Sequence, residues 1–123
     1  MSIREAKIKA ELAKAIRKEG GYARRIEDKF TVGMPDMVLI PLECPVIWAE
    51  LKIVTGYVFH PTPRQFVELV RLSRPPHSVG LLIGFKDTLY VSLPKETVHL
   101  EDCFKQEPGE SPGSLIRRAI ANG

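Results

Sequence analysis

Two short apolar runs that lie close together constrain this sequence more than any other feature. Residues 37–40 and 46–49 are rich in β-branched and other large apolar side chains, and each run is too short for a helix. Only residues 41–45 separate the two runs. Because parallel neighbours need a connection of about a dozen residues or more, the runs are predicted to form an antiparallel hairpin.

The register of this hairpin brings charged residues together. If its loop is centred on Glu43, Asp36 lies opposite Glu50, and directly opposed side chains have Cβ atoms about 5 Å apart. Side chains alternate along a strand, so Lys52 shares a face with Glu50. A β-bulge would shift the register by one residue and remove the alignment. Without a bulge, two carboxylates and a lysine converge at the ends of two apolar strands.

Two adjacent carboxylates indicate a divalent cation. They repel each other, and one pKa rises unless a cation lies between them. Mg²⁺ prefers oxygen ligands and is usually held by one or two carboxylates with waters and substrate phosphate. A lysine beside such an ion can orient water or stabilise developing phosphate charge. The alternative is a surface hairpin with a Glu50–Lys52 pair on its solvated face.

Residues 3–19 are predicted to form an amphipathic helix that ends at Gly20. Its main apolar residues fall within about 80° of arc on a helical wheel: Ile8, Leu12 and Ile16. Glu5 lies in the middle of that arc, and Glu11 lies about 120° away from it. A third site ligand that reaches toward the hairpin would explain a carboxylate on an apolar face. The alternative is a solvated Glu5 that complements the helix dipole.

A second helix has complete start signals at residues 62–65. Thr62 is a good N-cap, Pro63 fits the first helical position, and Gln65 completes a capping box. The helix is predicted to end before Pro75. A strand over residues 22–26 and this helix carry four candidate nucleic-acid contacts: Arg24, Arg25, Arg64 and Arg71. For the two arginines of the helix, a solvated helix face is the alternative.

The remaining pattern predicts a mixed α/β fold with a sheet of about five strands flanked by helices. Residues 79–85 and 88–93 are predicted strands, residues 94–113 an irregular linker, and residues 114–121 a short terminal helix. The length of 123 residues favours a single domain over residues 1–123 with its core in residues 3–93.

Composition limits the class of protein. A net charge of +3 and a pI near 9.0 are compatible with a nucleic-acid partner. We expect no membrane span, because no apolar run is long enough, and no signal peptide, because residues 1–19 are charged throughout. The two cysteines, Cys44 and Cys103, form no metal-ligand motif. These features predict a cytoplasmic protein.

The charged residues of the hairpin form a recognisable pattern, Gly33-x-Pro35-Asp36 followed by Glu50-Leu51-Lys52. This pattern resembles the active-site signature of the PD-(D/E)XK nuclease superfamily. More narrowly, residues 5–91 resemble small stand-alone VRR-NUC-type nucleases of phages and bacteria. Those join a helix glutamate, a Gly-x-Pro-Asp strand, a Glu-x-Lys strand and a helix glutamine. Their arginine-rich lead-in is only loosely echoed by Arg24 and Arg25.

The resemblance implies a restriction-endonuclease-like core and Mg²⁺- or Mn²⁺-dependent hydrolysis of DNA in a bacterial or phage-infected cell. It implies metal ligands at Glu5, Asp36, Glu50 and the Leu51 carbonyl. It also implies that Lys52 assists the attacking water and that Gln65 lies near the site. VRR-NUC-like and junction-resolving relatives of this size often act as symmetric dimers, since a four-way junction needs two paired cuts. The resemblance therefore implies a homodimer and a branched substrate such as a Holliday junction. The alternative is a non-catalytic nucleic-acid-binding or assembly module on the same fold.

Overall fold

Three helices flank a mixed sheet of six strands in the computed structural model, which describes residues 2–26 and 31–123. The elements are α1 (Ile3–Lys18), β1 (Tyr22–Arg25), β2 (Met37–Ile40), β3 (Val46–Ile53), β4 (Val58–Phe59), α2 (Pro63–Leu72), β5 (Ser78–Phe85), β6 (Leu89–Ser92), β7 (Val98–His99), a 3₁₀ turn (Leu100–Asp102), β8 (Phe104–Lys105) and α3 (Pro112–Asn122). The main sheet has the order β1-β2-β3-β5-β6-β8, and β4 pairs with β7 separately. Only the β3–β5 pairing is parallel among these described strands. The predicted mixed α/β class is confirmed.

The β2–β3 hairpin has the register that the sequence predicts. Its Cα partners are Met37 with Ala49, Val38 with Trp48, and Leu39 with Ile47. These pairs are symmetric about Glu43, which has a positive φ of 60° in the connection. The register continued by one residue therefore brings Asp36 opposite Glu50.

One face of the sheet packs against α1 and α3. Ile47, Ala49 and Leu51 of β3 lie in the core cluster that also contains Leu12 of α1 and Leu115 of α3. Alternation along β3 consequently directs its even-numbered residues to the other face. The odd-numbered residues thus anchor the strand that carries the Glu-x-Lys pattern.

The opposite face packs against α2. Leu82 of β5 and Trp48 of β3 contribute to the apolar cluster that contains Leu69 of α2. Gly80 permits this close approach, because a Cβ atom there would lie 2.7 Å from the Leu69 carbonyl oxygen. Glu50 is the parallel partner of Leu82 and so shares this face of the sheet.

The first helix begins and ends where its sequence signals indicate. The Ser2 side chain caps its N-terminus by accepting a hydrogen bond from the Glu5 N–H at 3.0 Å. The chain leaves the helix through Gly20, which has a φ of 94°. Within residues 2–26 and 31–123, no helix is both long and apolar enough to cross a membrane.

The prediction of an irregular linker over residues 94–113 is wrong in part. This segment contains β7, the 3₁₀ turn and β8, and β8 adds an edge strand to the sheet, so the sheet has six strands where about five were expected. Val98 and Leu100 are buried against Phe59 in the α2-side cluster. Strands of two residues have no alternation to detect, and tertiary burial stabilises them instead.

Most other predicted bounds differ from those observed by one or two residues at an end, which is the usual uncertainty of element termini. The strand expected over residues 46–49 is the exception, because its pairing with β5 continues to Ile53. The helix expected over residues 114–121 begins two residues earlier, at Pro112, with Ser111 as its N-cap. The Glu19 carboxylate accepts hydrogen bonds from the Ser111 hydroxyl at 2.6 Å and the Gly113 N–H at 3.2 Å. This contact fixes the start of α3 against the end of α1.

Candidate active site

Asp36 and Glu50 lie side by side across the β2–β3 hairpin, and each carboxyl group shifts the pKa of the other. Glu50 is only 2% exposed, whereas Asp36, one residue before β2, is partly exposed. The Leu51 N–H donates a hydrogen bond to Asp36 Oδ2 at 3.0 Å. One strand therefore supplies both the second carboxyl group and the amide that orients the first.

The two carboxyl groups differ in proton affinity. Burial, the hydrogen bond with Asp36 and the charge of Asp36 together raise the pKa of Glu50 to about 9. Burial also acts to raise the pKa of Asp36, but hydrogen bonds from Glu50, the Leu51 N–H and Lys9 outweigh it, and that pKa is lowered. Of the two groups, Glu50 therefore holds a proton more readily than Asp36 does.

Lys9 of α1 contacts this pair, and the sequence interpretation missed it. Its side chain is 1% exposed, and Nζ lies 3.0 Å from Asp36 Oδ1 and 3.2 Å from Glu5 Oε1. A lysine is almost never buried without such partners. One signal was available, because Lys9 lies one turn after Glu5, about 40° from it on the helical wheel and about 20° beyond the edge of the apolar arc.

Glu5 faces the site as the helical wheel predicts. Its side chain is 24% exposed and pairs with Lys9, whereas Glu11 is exposed. The ammonium group of Lys9 thus lies between the Glu5 and Asp36 carboxylates. Among residues 2–26 and 31–123, no three or more His, Cys, Asp or Glu side chains are grouped so that they could hold a metal ion.

The Asp36–Glu50 pair nevertheless has the chemistry of a divalent-cation site. Glu50 Oε1 is buried and, within the described part of the chain, accepts no hydrogen bond. A buried oxygen without a partner is unfavourable, and a bound cation would satisfy it. Both groups offer the hard oxygen ligands that Mg²⁺ and Mn²⁺ prefer. The residues present therefore fit such an ion.

Lys52 lies on the same face of β3 as Glu50. Its side chain is half-buried, and its positive charge acts against the upward shift in the pKa of Glu50. Together with Lys9, it gives the carboxyl pair two nearby ammonium groups. Lys52 is the more exposed of the two and is therefore the better placed to meet a ligand from solvent.

Gln65 is occupied by the capping box of α2. Its Oε1 accepts a hydrogen bond from the Thr62 N–H at 2.8 Å, and its own N–H donates to Thr62 Oγ1 at 3.2 Å. The capping interpretation is thus confirmed, and a role in the site stays a prediction. A metal contact by the Leu51 carbonyl also stays a prediction. At this site the Leu51 main chain contacts Asp36 through its N–H.

Gly33 connects the Asp36 segment to the start of α2. It has a φ of 85°, and a Cβ atom there would lie 2.6 Å from the Arg64 carbonyl oxygen. Glycine is required both by this backbone conformation and by the close approach of the helix. Arg64 is consequently held beside the segment that leads to Asp36.

The other candidate arginines have different surroundings. Arg24 is exposed and Arg25 is half-buried on β1, next to β2. Arg71 is exposed and pairs with Glu68 at 3.2 Å, on the last turn of α2. Their contacts with phosphate stay predictions. The sequence also predicts a loop over residues 27–32, before Gly33, and residues 27–30 lie outside the described residues.

Comparison with known proteins shows a likeness of fold. No protein-family model matches the chain, and no curated protein matches it. The narrower resemblance to VRR-NUC-type nucleases therefore stays a prediction. Among solved structures, Hjc, a Holliday junction resolvase from the archaeal hyperthermophile Archaeoglobus fulgidus, superposes with a TM-score of 0.63 at 12% identity. The match covers 78% of this chain and 84% of that one, so the two proteins share a fold.

Proposed function

We propose that this protein is a divalent-metal-dependent nuclease that hydrolyses DNA phosphodiester bonds. The observation that carries the proposal is the opposed Asp36–Glu50 pair, in which Glu50 Oε1 is buried without a hydrogen-bond donor from the described residues. The Gly-x-Pro-Asp and Glu-x-Lys patterns around this pair support a PD-(D/E)XK nuclease. The fold shared with a Holliday junction resolvase supports the same activity.

Asp36 and Glu50 would hold Mg²⁺ or Mn²⁺, with the Leu51 carbonyl as a further ligand. When bound, such an ion supplies Lewis-acid stabilisation of negative charge on the phosphate. The Leu51 N–H and Lys9 orient the Asp36 carboxylate from two sides at 3.0 Å each. Glu5 supports Asp36 through Lys9. Glu50 must give up its proton to act as a ligand, because its pKa is raised to about 9.

Lys52 acts on the reacting groups. As an ammonium group it has three N–H donors and no lone pair, so it cannot bind a metal in that form. It donates hydrogen bonds to a phosphate oxygen or to the attacking water, where developing negative charge is greatest. Its greater exposure relative to Glu50 suits a group that contacts substrate.

We propose a branched DNA substrate and a homodimer. The support is the shared fold with a protein named as a Holliday junction resolvase and the geometric need for two paired cuts at a four-way junction. Arg64 beside Gly33 and the arginines of β1 are the phosphate contacts that we assign to this chain, with Arg71 farther along α2.

The experiment is a cleavage panel with purified protein. Supercoiled plasmid, single-stranded DNA, flaps, forks and four-way junctions are incubated with Mg²⁺, Mn²⁺ or EDTA. We expect hydrolysis with either metal, none in EDTA, and a preference for branched substrates. Tight binding of DNA without hydrolysis in every metal would favour the non-catalytic binding module instead.

A further inference from the structure

We propose that Lys9 is a built-in cation of the site, so that the protein binds one divalent ion, between Asp36 and Glu50, and Glu5 acts through Lys9 instead of as a metal ligand. The inference rests on the proposed function for the identity of the bound ion. Its first part, the linkage of Glu5 to Asp36 by an ammonium group, rests on geometry alone. Nζ lies 3.0 Å from Asp36 Oδ1 and 3.2 Å from Glu5 Oε1.

Burial makes this ion pair more than a surface contact. Lys9 is 1% exposed, and its neighbours on the same side of α1 are the core residues Leu12, Ala13 and Ile16. Surface ion pairs contribute little, but a buried charge that loses its partner strongly destabilises a protein. The contacts of Lys9 therefore join α1 to Asp36 and fix the position of that carboxylate.

The acceptor capacity of Asp36 limits what else can bind. A carboxylate has about four lone-pair sites, and two are engaged by Lys9 and the Leu51 N–H. The side of Asp36 nearest Glu5 is taken by Lys9. The buried Glu50 Oε1 is the oxygen with no donor among the described residues. The place for a divalent ion is consequently the Glu50 side of Asp36.

Charge gives an independent argument for a single ion. Glu5, Asp36 and Glu50 can carry three negative charges, and Lys9 and Lys52 carry two positive ones. A second divalent ion on the Glu5 side would lie within a few ångströms of the Lys9 ammonium group, where like charges repel strongly in a poorly solvated site. Lys9 thus takes the role that a second cation would have.

The test replaces Lys9 by methionine, which is unbranched and of similar length and so leaves little cavity. Lys9→Arg keeps the charge, and Lys7→Met changes an exposed lysine on the same helix. Melting temperatures are measured in EDTA and over a range of Mg²⁺ concentrations, and Mg²⁺ binding is measured by calorimetry. None of these readouts requires cleavage.

We expect the wild type to bind one Mg²⁺ per chain. Lys9→Met should melt on the order of 10 °C lower in EDTA, because two carboxylates lose their cation. Its melting temperature should then rise more on addition of Mg²⁺ than that of the wild type does. It should bind Mg²⁺ roughly tenfold more tightly or bind a second ion. Lys7→Met and Lys9→Arg should keep the wild-type response to Mg²⁺.

Glu5→Gln keeps Lys9 paired with Asp36 and provides a second test if Lys9→Met does not fold. Loss of a distant charge should weaken Mg²⁺ binding by about twofold, whereas loss of a direct ligand would weaken it tenfold or more. A tenfold or greater loss of Mg²⁺ affinity in Glu5→Gln would overturn the inference. So would binding of two Mg²⁺ ions by the wild type, or a folded Lys9→Met that responds to Mg²⁺ as the wild type does.

A wild type that binds no divalent ion contradicts the proposed function and the single-ion inference together. The Lys9–Glu5 linkage is then decided in EDTA, where a double-mutant cycle without coupling would refute it.

Discussion

The Leu51 N–H donates a hydrogen bond to Asp36 Oδ2 at 3.0 Å, so the strand that carries Glu50 also orients the carboxylate opposite to it. A main-chain donor cannot rotate away as a side chain can. The position of Asp36 therefore depends on the hairpin register, and the charge of Asp36 is balanced from the other side by Lys9 at 3.0 Å. The hairpin and α1 together determine the geometry of the site.

Asp36→Asn should lower stability in EDTA, although it removes one of two neighbouring carboxylates. Asparagine can still accept the Leu51 N–H, but it no longer neutralises the buried ammonium group of Lys9. We expect a loss of roughly 1–3 kcal/mol in the free energy of unfolding, measured by urea denaturation. Asp87→Asn, at an exposed position, is the control and should stay within about 0.5 kcal/mol of the wild type. A stabilised Asp36→Asn would show that Lys9 does not depend on this carboxylate.

Glu50→Gln should have the opposite effect, and the effect should depend on pH. The pKa of folded Glu50 is about 9 against an ordinary value of 4.5, so the folded state binds the proton more tightly than the unfolded state does. The contribution of this group to stability is therefore fully present below pH 4.5 and is lost as pH rises toward about 9. In EDTA, Glu50→Gln should be more stable than the wild type at pH 8 and should lack this slope. Urea denaturation of both proteins from pH 5 to pH 9 measures it, and parallel curves would contradict the assignment.

Much of the site could be predicted from the sequence, because short-range rules determine it. The hairpin register followed from the length of the connection, and it brought Asp36 opposite Glu50. The orientation of Glu5 followed from helical periodicity. Lys9 was missed because a lysine is ordinarily assigned to solvent, and only tertiary contacts with two carboxylates bury this one. Helical periodicity alone does not predict such a tertiary contact.

The strands in the segment after β6 also could not be predicted from sequence periodicity. Val98 and Leu100 are buried, yet their neighbours in the chain are polar and no period of two or 3.6 residues develops. Their burial depends on Phe59, which is distant in sequence. By contrast, the capping box at Thr62 is a local signal and was predicted correctly.

Lys52→Ala should lower turnover by about a hundredfold or more while Mg²⁺ binding survives, because we propose that the ammonium group acts on water or phosphate and not on the ion. Single-turnover cleavage and calorimetry measure the two quantities separately. Lys95→Ala, an exposed change on the loop after β6, is the control. Full turnover combined with lost Mg²⁺ affinity would refute the role given to Lys52.

Gly33→Ala should destabilise the protein more than Gly109→Ala does. Both glycines have a positive φ, of 85° and 78°, but a Cβ atom at Gly33 would lie 2.6 Å from the Arg64 carbonyl oxygen, whereas one at Gly109 would meet nothing within 4 Å. The backbone conformation costs about 1 kcal/mol at each position, and the overlap adds to it only at Gly33. Thermal denaturation of the two variants gives the difference. Equal losses would mean that α2 moves away without penalty.

We propose that Asp36 and Glu50 hold the metal ion of a nuclease, and cleavage of a labelled junction by site variants tests this proposal. A labelled four-way junction is incubated with the wild type, Asp36→Asn, Glu50→Gln and the Asp87→Asn control, each in saturating Mg²⁺ and in EDTA. We expect cleavage by the wild type and the control in Mg²⁺ and not in EDTA, and a loss of at least about a hundredfold in both site variants, with their fold retained. Cleavage by Asp36→Asn or Glu50→Gln at the wild-type rate in Mg²⁺ would contradict it.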